Sequence, residues 1–175
     1  PSIEYNIIDE TDKINLIKPS MNAIHEEDII REATNPNAPQ RMGISVKVNK
    51  TMSEIGTWTD IEGLGSIWRL EIKVEDAVAL GVYYNDFYIP QGGKLFLYNK
   101  DRSYLIGAYT NINNPEESLF ATEFIPGDVV ILEYFKPFVR EAETVVQQMT
   151  GGEPVGVPLT QSSAGVAIMS EQYTL

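Results

Sequence analysis

The chain has 175 residues, of which 43% are hydrophobic, and it carries a formal net charge of −12 and no cysteine. This length and composition are typical of one globular domain with a sizeable core. The acidity argues against binding to nucleic acid or to anionic membrane surfaces. The lack of cysteine excludes disulfides, thiolate zinc sites and cysteine nucleophiles.

The acidic composition has two interpretations. It can serve solubility alone, or it can include a calcium site, although the loop signature of an EF-hand does not occur. No apolar run in the sequence approaches the length of a membrane-spanning helix. The first residue is Pro1, and the lack of an initiating methionine predicts that the N-terminus has been processed or trimmed.

Residues 1–40 predict an N-terminal arm followed by one short helix. The arm, residues 1–20, mixes apolar and acidic side chains, and its Ile14–Ile17 run is typical of an edge strand. We therefore expect the arm to lie extended on the rest of the domain. The break at Pro19 and Ser20 separates it from the helix.

The predicted helix spans Ala23–Ala33, with an apolar stripe formed by Ile24, Ile29 and Ile30. It contains the only histidine of the chain, His25. This residue is either a partly exposed helix residue or a ligand or general base. Because no second histidine is available, the sequence argues against a histidine metal site.

The segment Gly63–Tyr98 predicts the centre of a β-sheet. Every second side chain of its first strand is apolar, namely Trp68, Leu70, Ile72 and Val74. The polar side chains between them, such as Arg69, are expected to face solvent. Turn residues at Asn85–Asp86 and Pro90–Gly93 predict a meander of antiparallel strands, in which Phe87–Leu97 forms a hairpin.

Further strands are predicted on both sides of this centre, at Arg41–Lys50, Gly56–Ile61, Ser103–Tyr109, Ser118–Phe124 and Val129–Phe135. The last of them is apolar almost throughout, so both of its faces are expected to be covered. About eight strands with turn signals between them favour an all-β fold, an antiparallel sandwich of jelly-roll type with a short N-terminal helix.

The predicted β-sandwich core covers residues 41–137, and residues 138–175 form an extension of different character. Arg140–Met149 fits either a strand or a helix, and Val166–Met169 is a short apolar patch. We expect this extension to add a strand or to be partly mobile.

Motifs that carry catalytic chemistry are weak in this sequence. The nucleophile elbow Gly-x-Ser-x-Gly does not occur, and only His25 is available as a histidine base. Carboxylates for glycoside hydrolysis are present at Asp60, Glu62, Glu71 and Glu123, but nothing in the sequence pairs two of them across a cleft. The sequence therefore predicts no catalytic residue, no metal ligand and no cofactor.

Aromatic side chains are the remaining candidates for binding. Trp58, Tyr83 and Tyr84 are candidate ligand-binding residues for a sugar platform, and the alternative is that they pack in the core or at a sheet edge. Because Tyr83 and Tyr84 are adjacent in a strand, one points inward and one outward, and the outward one is the better candidate. Trp68 is assigned to the core.

A series of short motifs runs in order through residues 26–137. They are Asp28–Ala33, Pro39–Gly43, Gly56–Trp58, Ile67–Leu70, Ala79–Leu80, Phe87–Gly93, Leu95–Asn99, Gly107, Thr110, Pro126–Asp128 and Glu133–Pro137. With these motifs the chain resembles the N-terminal pro-region of secreted bacterial lysyl-endopeptidase-like serine proteases. In that family the pro-region precedes a chymotrypsin-type catalytic domain.

The resemblance implies a secreted, periplasmic or cell-surface location and a β-sandwich similar to galactose-binding-like or proprotein P domains. No position after Pro137 matches the catalytic histidine, aspartate and serine of the family. The chain is therefore either a pro-region separated from its protease or a stand-alone relative.

The expected function is a non-catalytic pro-region or accessory domain of a secreted serine protease, with a role in folding, inhibition or export. The alternative is a stand-alone carbohydrate-binding module. The expected partner is accordingly the protease domain of the same precursor or a surface glycan, and the chain itself is expected to be a monomer.

Overall fold

A computed structural model of the protein describes residues 1–41, 43–48 and 50–138, and the backbone of residues 164–169. Helix α1 spans Met21–Thr34, and a short 3-10 helix spans Asn111–Asn113. The strands are β1 (Asp12–Leu16), β2 (Ile44–Lys47), β3 (Thr57–Ile61), β4 (Gly65–Val74), β5 (Ala79–Tyr84), β6 (Lys94–Asn99), β7 (Leu105–Tyr109), β8 (Phe120–Ala121), β9 (Ile125–Pro126), β10 (Val129–Pro137) and β11 (Ala164–Met169).

These strands form two sheets. Sheet A has the order β1-β4-β10-β6-β7, and β3 also pairs with β4. Sheet B has the order β2-β11-β5-β8, and β9 also pairs with β5. Strand β1 runs parallel to β4, whereas the other pairings among the described strands are antiparallel. The predicted all-β fold is confirmed, and the arrangement is sandwich-like.

One apolar core joins the two sheets. Its largest contributions come from alternate residues of β4, β5, β6 and β10: Trp68, Leu70, Ile72, Val74, Leu80, Val82, Tyr84, Leu95, Leu97, Val130, Leu132 and Tyr134. The alternation seen in the sequence of β4 thus marks its buried face, because successive side chains of a strand point to opposite faces. The assignment of Trp68 to the core is confirmed.

Strand β10 lies at the middle of sheet A, between β4 and β6. Its pairing with β4 runs over all nine residues from Val129 to Pro137. Side chains on both of its faces are buried, including Tyr134 on the core face and Glu133 on the outer face. The prediction that both faces of this strand are covered is confirmed.

The predicted meander is wrong, because β5 belongs to sheet B whereas β4 and β6 belong to sheet A. The segment between β5 and β6 therefore crosses from one sheet to the other, and Phe87–Leu97 is not a hairpin. Phe87 and Ile89 of this crossing are fully buried and join the core. Turn residues mark a change of direction, but they do not identify the strand with which the next one pairs.

The helix is present, but its predicted apolar stripe is only partly correct. Ile24 is buried, whereas Ile29 and Ile30 are exposed. The second buried side chain of the helix is Asp28, whose Oδ1 accepts a hydrogen bond of 2.9 Å from Nε of Arg41. An ion pair therefore occupies a helix position where the sequence pattern predicted only apolar contact.

The region after residue 138 contributes a strand to the middle of sheet B. Strand β11 pairs on one side with β2 and on the other with β5, both antiparallel. Of the two alternatives for this extension, the added strand is the one observed at Ala164–Met169. The predicted strand or helix at Arg140–Met149 lies outside the described residues.

The connection from β7 to β8 crosses between the sheets and is held at two points. Thr110 and Asn113 form a capping box around the short 3-10 helix. Next to it, the side chain of Asn114 accepts a hydrogen bond of 2.8 Å from the Ile89 amide and donates one of 2.9 Å to the Ile89 carbonyl. Asn114 thus fastens this connection to the crossing between β5 and β6.

We expect Asn114→Ala to lower the free energy of unfolding by about 2 kcal/mol, because it leaves two partly buried backbone groups of Ile89 without their partner. Urea unfolding followed by circular dichroism measures this difference. Asn111→Ala, an exposed position of the same connection, is the matched control and should change stability by less than about 0.5 kcal/mol. Equal effects of the two substitutions would contradict the assigned role of Asn114.

Candidate functional site

The outer face of sheet A is crossed by residues 1–11, which we call the strap. At one end, the amide of Ser2 donates a hydrogen bond of 2.8 Å to Oε1 of Glu133, and the Ser2 hydroxyl donates to Oε2. At the other end, the Thr59 hydroxyl donates a hydrogen bond of 3.0 Å to Oδ2 of Asp9. The strap therefore extends from β10 in the middle of the sheet to β3 at its edge.

Glu133 is the anchor of the strap and is only 2% exposed. Besides the two bonds from Ser2, its carboxylate accepts a hydrogen bond of 2.9 Å from the Tyr98 hydroxyl and lies 2.9 Å from the amino group of Pro1. Burial alone would raise the pKa of Glu133, but the hydrogen bonds from Ser2 and the charged amino group outweigh it and lower this pKa. The group is thus a carboxylate at neutral pH whose oxygens are already occupied.

The prediction that Arg69 faces solvent is wrong. It lies on the outer face of β4 as the alternation requires, yet it is only 4% exposed. Its register partner on β10 is Glu133, and its guanidinium donates a hydrogen bond of 3.3 Å to the Thr59 hydroxyl. The sequence pattern assigned the face correctly, but nothing in it showed that the face would be covered.

The anchor itself was not identified from the sequence, although a signal was present. Glu133 is the single charged residue within Val129–Phe135, a strand whose faces were both predicted to be covered. A carboxylate buried in this way requires compensating donors, since an unpaired buried charge is very costly. The identity of the donors follows only from the tertiary structure.

The structure places the three aromatic candidates in different environments. Trp58 is 40% exposed on edge strand β3, where it meets the ring of Tyr134 edge to face at a centroid distance of 6.4 Å. Tyr84 is buried on the core face of β5, and Tyr83 is half-buried on the opposite face of the same strand. Tyr83 is therefore the outward member of the pair. Trp58 belongs to sheet A and Tyr83 to the outer face of sheet B, so these residues do not form one platform.

Tyr84 has a buried hydroxyl for which the described residues supply no hydrogen-bond partner. Its ring packs against Phe87 and Phe120, with centroid distances of 5.2 and 6.4 Å. Burial raises the pKa of the Tyr84 hydroxyl, and the nearby Tyr109 raises it further. By contrast, the Tyr98 hydroxyl is bonded to Glu133, and burial followed by the charge of Glu133 raises the pKa of Tyr98 to about 12.

We expect Tyr84→Phe to leave stability unchanged or to raise it by up to about 1 kcal/mol, because it removes a buried polar group to which the described residues offer no hydrogen bond. Tyr98→Phe makes the same chemical change and is the matched control. It should lower the free energy of unfolding by about 1–2 kcal/mol, since it removes a hydrogen bond to a charged group. Thermal and urea unfolding of both variants measure the contrast. A clear loss of stability in Tyr84→Phe would show that its hydroxyl has a hydrogen-bond partner beyond the described residues.

The residues considered for catalysis lie on different structural elements. His25 is exposed on α1, Asp60 is exposed on β3, and Glu123 is exposed beside sheet B. Glu71 is half-buried on the outer face of β4. Across the described ranges, no group of three or more histidine, cysteine, aspartate or glutamate side chains is placed to hold a metal ion. In the same part of the chain, no helix is both long and apolar enough to cross a membrane.

In the part of the chain that the structure describes, the strap covers the outer face of sheet A and is held by the buried carboxylate of Glu133. The side chains considered for catalysis are not brought together there. The polar site around Glu133 joins the strap to strand β10. Trp58 is exposed at the edge of sheet A, and its role in ligand binding stays a prediction. A comparison of the sequence with protein-family models finds no matching family.

Proposed function

We propose that the protein is a non-catalytic pro-region or accessory domain of a secreted serine protease, with a role in folding, inhibition or export. The observation that carries this proposal is the ordered series of motifs through residues 26–137, which resembles such pro-regions. The finer fold that accompanies the proposal is a jelly-roll of the galactose-binding-like kind. The secreted or cell-surface location is part of the same proposal.

The motif residues have structural roles, which supports reading the motifs as a shared scaffold. Gly56 lies directly against the indole of Trp68, where an added Cβ would come within 2.1 Å of Nε1. The same Nε1 donates a hydrogen bond of 2.9 Å to the Ile55 carbonyl. The Gly-x-Trp and Trp-Arg-Leu motifs therefore meet in one packing contact. We therefore infer that these motifs build the scaffold and that a partner is contacted through other surface residues.

Exposed apolar side chains on ordered parts of the surface are candidates for the contact with a protease. Ile112 is 88% exposed on the short 3-10 helix, which the Thr110 capping box and Asn114 hold in place. Leu119 in the same connection is also exposed. An apolar side chain presented on a fixed loop loses little conformational entropy on binding.

The first test is the mass of the native product in the producing cells, determined with peptides from this chain. A longer precursor that continues into a chymotrypsin-type catalytic half would support the proposal. A newly synthesised, unprocessed gene product that contains no protease segment would contradict it.

The second test adds the chain to the separated catalytic half of that precursor. We expect the two to co-elute and the peptidase activity to fall. Ile112→Asp should weaken this inhibition at least about tenfold if the loop is a central contact. Ile17→Asp, an equally exposed isoleucine after β1, is the matched control and should have no effect. No co-elution, together with unchanged activity and unchanged refolding of the protease, would argue against any pro-region role.

The alternative function is carbohydrate binding, and the partial exposure of Trp58 favours it as the second candidate. Aromatic faces stack on sugar rings, so a bound sugar should change the fluorescence of Trp58. The change should disappear in Trp58→Phe, which leaves the buried Trp68 as the remaining tryptophan. An unchanged spectrum across a panel of soluble sugars and a silent glycan array would contradict this alternative.

A further inference from the structure

A groove of about 270 Å³ lies between the strap and the β6–β7 hairpin on the outer face of sheet A. We call it the strap groove. The side chains that matter for the argument are Ile3 and Glu4 of the strap, Lys94 and Phe96 of β6, Arg102 of the hairpin turn and Leu105 of β7. None of the roles assigned so far uses this groove.

The strap groove is lined by three apolar side chains, Ile3, Phe96 and Leu105. Ile3 is 63% exposed and Leu105 is 55% exposed, and Phe96 is half-buried on β6. The strap side is fixed because Ser2, next to Ile3, is bonded to the buried Glu133. Apolar side chains that stay exposed on ordered segments favour an interaction site over a solvated loop.

Two exposed cations, Lys94 and Arg102, lie beside these apolar side chains. Lys94 begins β6, and the guanidinium of Arg102 lies 5.5 Å from the ring centroid of Tyr98 on the same strand. Lys94, Phe96 and Tyr98 share one face of β6, and the Cα atoms of Lys94 and Tyr98 are about 13 Å apart along the strand. Lys94 and the guanidinium near Tyr98 therefore lie on opposite sides of Phe96. The negative charge of Glu133 is balanced by the amino group of Pro1, which lies 2.9 Å from its carboxylate. Glu4 of the strap is the further acid in the described lining, so Lys94 and Arg102 leave the groove with a net positive charge.

We propose that the strap groove binds an extended peptide segment of a partner protein in which a large apolar side chain lies between two carboxylates. In an extended chain, residues i, i+2 and i+4 point to the same side, and the outer two are about 13 Å apart. The pattern Glu-x-Leu-x-Glu therefore places an apolar side chain on Phe96, Ile3 and Leu105 while its carboxylates reach Lys94 and Arg102. On a chain with net charge −12, this local pair of cations gives the segment a specific site.

The test uses the full chain, labelled with nitrogen-15, and a capped peptide Gly-Glu-Thr-Leu-Thr-Glu-Gly as the probe. We expect saturable chemical-shift changes at Ile3, Phe96 and Leu105 with peptide added to about 2 mM. The charge-reversed peptide, with lysine in place of both glutamates, should bind at least about tenfold more weakly. Raising the salt concentration from about 50 to about 500 mM should weaken binding of the acidic peptide.

The paired substitutions Lys94→Glu and Arg102→Glu should lower the affinity for the acidic peptide at least about tenfold and raise that for the charge-reversed peptide. Lys13→Glu with Lys47→Glu, which makes the same change of net charge at exposed positions of β1 and β2, should leave the affinity within about twofold. These controls separate a local effect from a change of overall charge.

Absent shifts, equal binding of the two peptides, or shifts away from the strap groove would each overturn the proposal. If the doubly substituted chain fails to fold, the comparison of the two peptides and the salt series, both on the unsubstituted chain, still test whether the groove binds an acidic segment. The assay contains no protease, so its failure leaves the pro-region proposal standing. In the same way, failure of the precursor test leaves the peptide site standing.

Discussion

Replacing Glu133 with glutamine is expected to lower the free energy of unfolding by about 3–5 kcal/mol, the range for breaking a buried charged network from one side. The carboxylate accepts from the Ser2 amide, the Ser2 hydroxyl and the Tyr98 hydroxyl, and it faces the Pro1 amino group. A carboxamide turns one acceptor into a donor, so at least one of these donors is left buried without an acceptor. Urea unfolding measures the loss.

Glu71→Gln is the matched control, because Glu71 lies on the same outer face of sheet A but is only half-buried. It removes the same charge and should change stability by less than about 1 kcal/mol. Hydrogen exchange supplies a second measurement, since loss of the anchor should release the amide of Ser2 and speed exchange along the strap. A Glu133→Gln chain that unfolds at the same urea concentration as the unsubstituted one would contradict the anchor role.

The pH dependence of this effect follows from the lowered pKa of Glu133. A carboxyl group whose pKa is lower in the folded state adds stability that is present above its unfolded pKa, about 4.3 for glutamate. That contribution is lost as the pH falls from there through the folded pKa. The difference in stability between the unsubstituted chain and Glu133→Gln should therefore be constant from pH 7 to about pH 5 and shrink below about pH 4.

Gly56→Ala is expected to lower the free energy of unfolding by about 2–4 kcal/mol, from backbone strain and overpacking together. Gly56 has a φ of +95°, which a residue with a Cβ adopts only with strain. Its added Cβ would meet three indole atoms of Trp68 at 2.1, 2.3 and 2.6 Å. The indole cannot retreat without losing its hydrogen bond to the Ile55 carbonyl and its place in the core.

Gly63→Ala separates the two causes. Gly63 also has a positive φ, of +73°, but an added Cβ there meets nothing within 4 Å. Its cost should therefore be backbone strain alone, about 1–2 kcal/mol. Near-ultraviolet circular dichroism should change in Gly56→Ala and not in Gly63→Ala, because only the former displaces Trp68. Equal losses of stability in the two variants would show that the contact with the indole costs nothing.

Patterns of neighbouring residues predicted the individual strands well, because the alternation of side chains along a strand depends on that segment alone. The period of two in Trp68–Val74 identified the buried face of β4, and the apolar run Val129–Phe135 identified a strand covered on both sides. The partners of the strands were not predictable in the same way. Asn85–Asp86 and Pro90–Gly93 indicated turns, but whether a turn leads to a neighbouring strand or to the other sheet depends on distant segments.

The candidate sites show the same division. The adjacency of Tyr83 and Tyr84 predicted one inward and one outward side chain, and the core contacts of Tyr84 decide which is which. The strap groove has no local signature, because it forms where residues 1–4 meet a hairpin that lies far away in the sequence. Glu133 was recognisable as a lone acid in an apolar strand, but its donors, Ser2 and Tyr98, lie 131 and 35 residues away in the sequence.

The position of β11 has a consequence for the order in which the chain folds as it is synthesised. Among the described strands, β2 hydrogen-bonds with β11 alone, through pairs such as Ile44 with Ile168. Ile44–Lys47 leaves the ribosome well before its partner strand, Ala164–Met169, has been synthesised. Until then, both β2 and one edge of β5 expose unpaired backbone groups, the kind of edge that recruits foreign strands. All described strands of sheet A have been synthesised once residue 137 has emerged, so the two sheets are completed at different times.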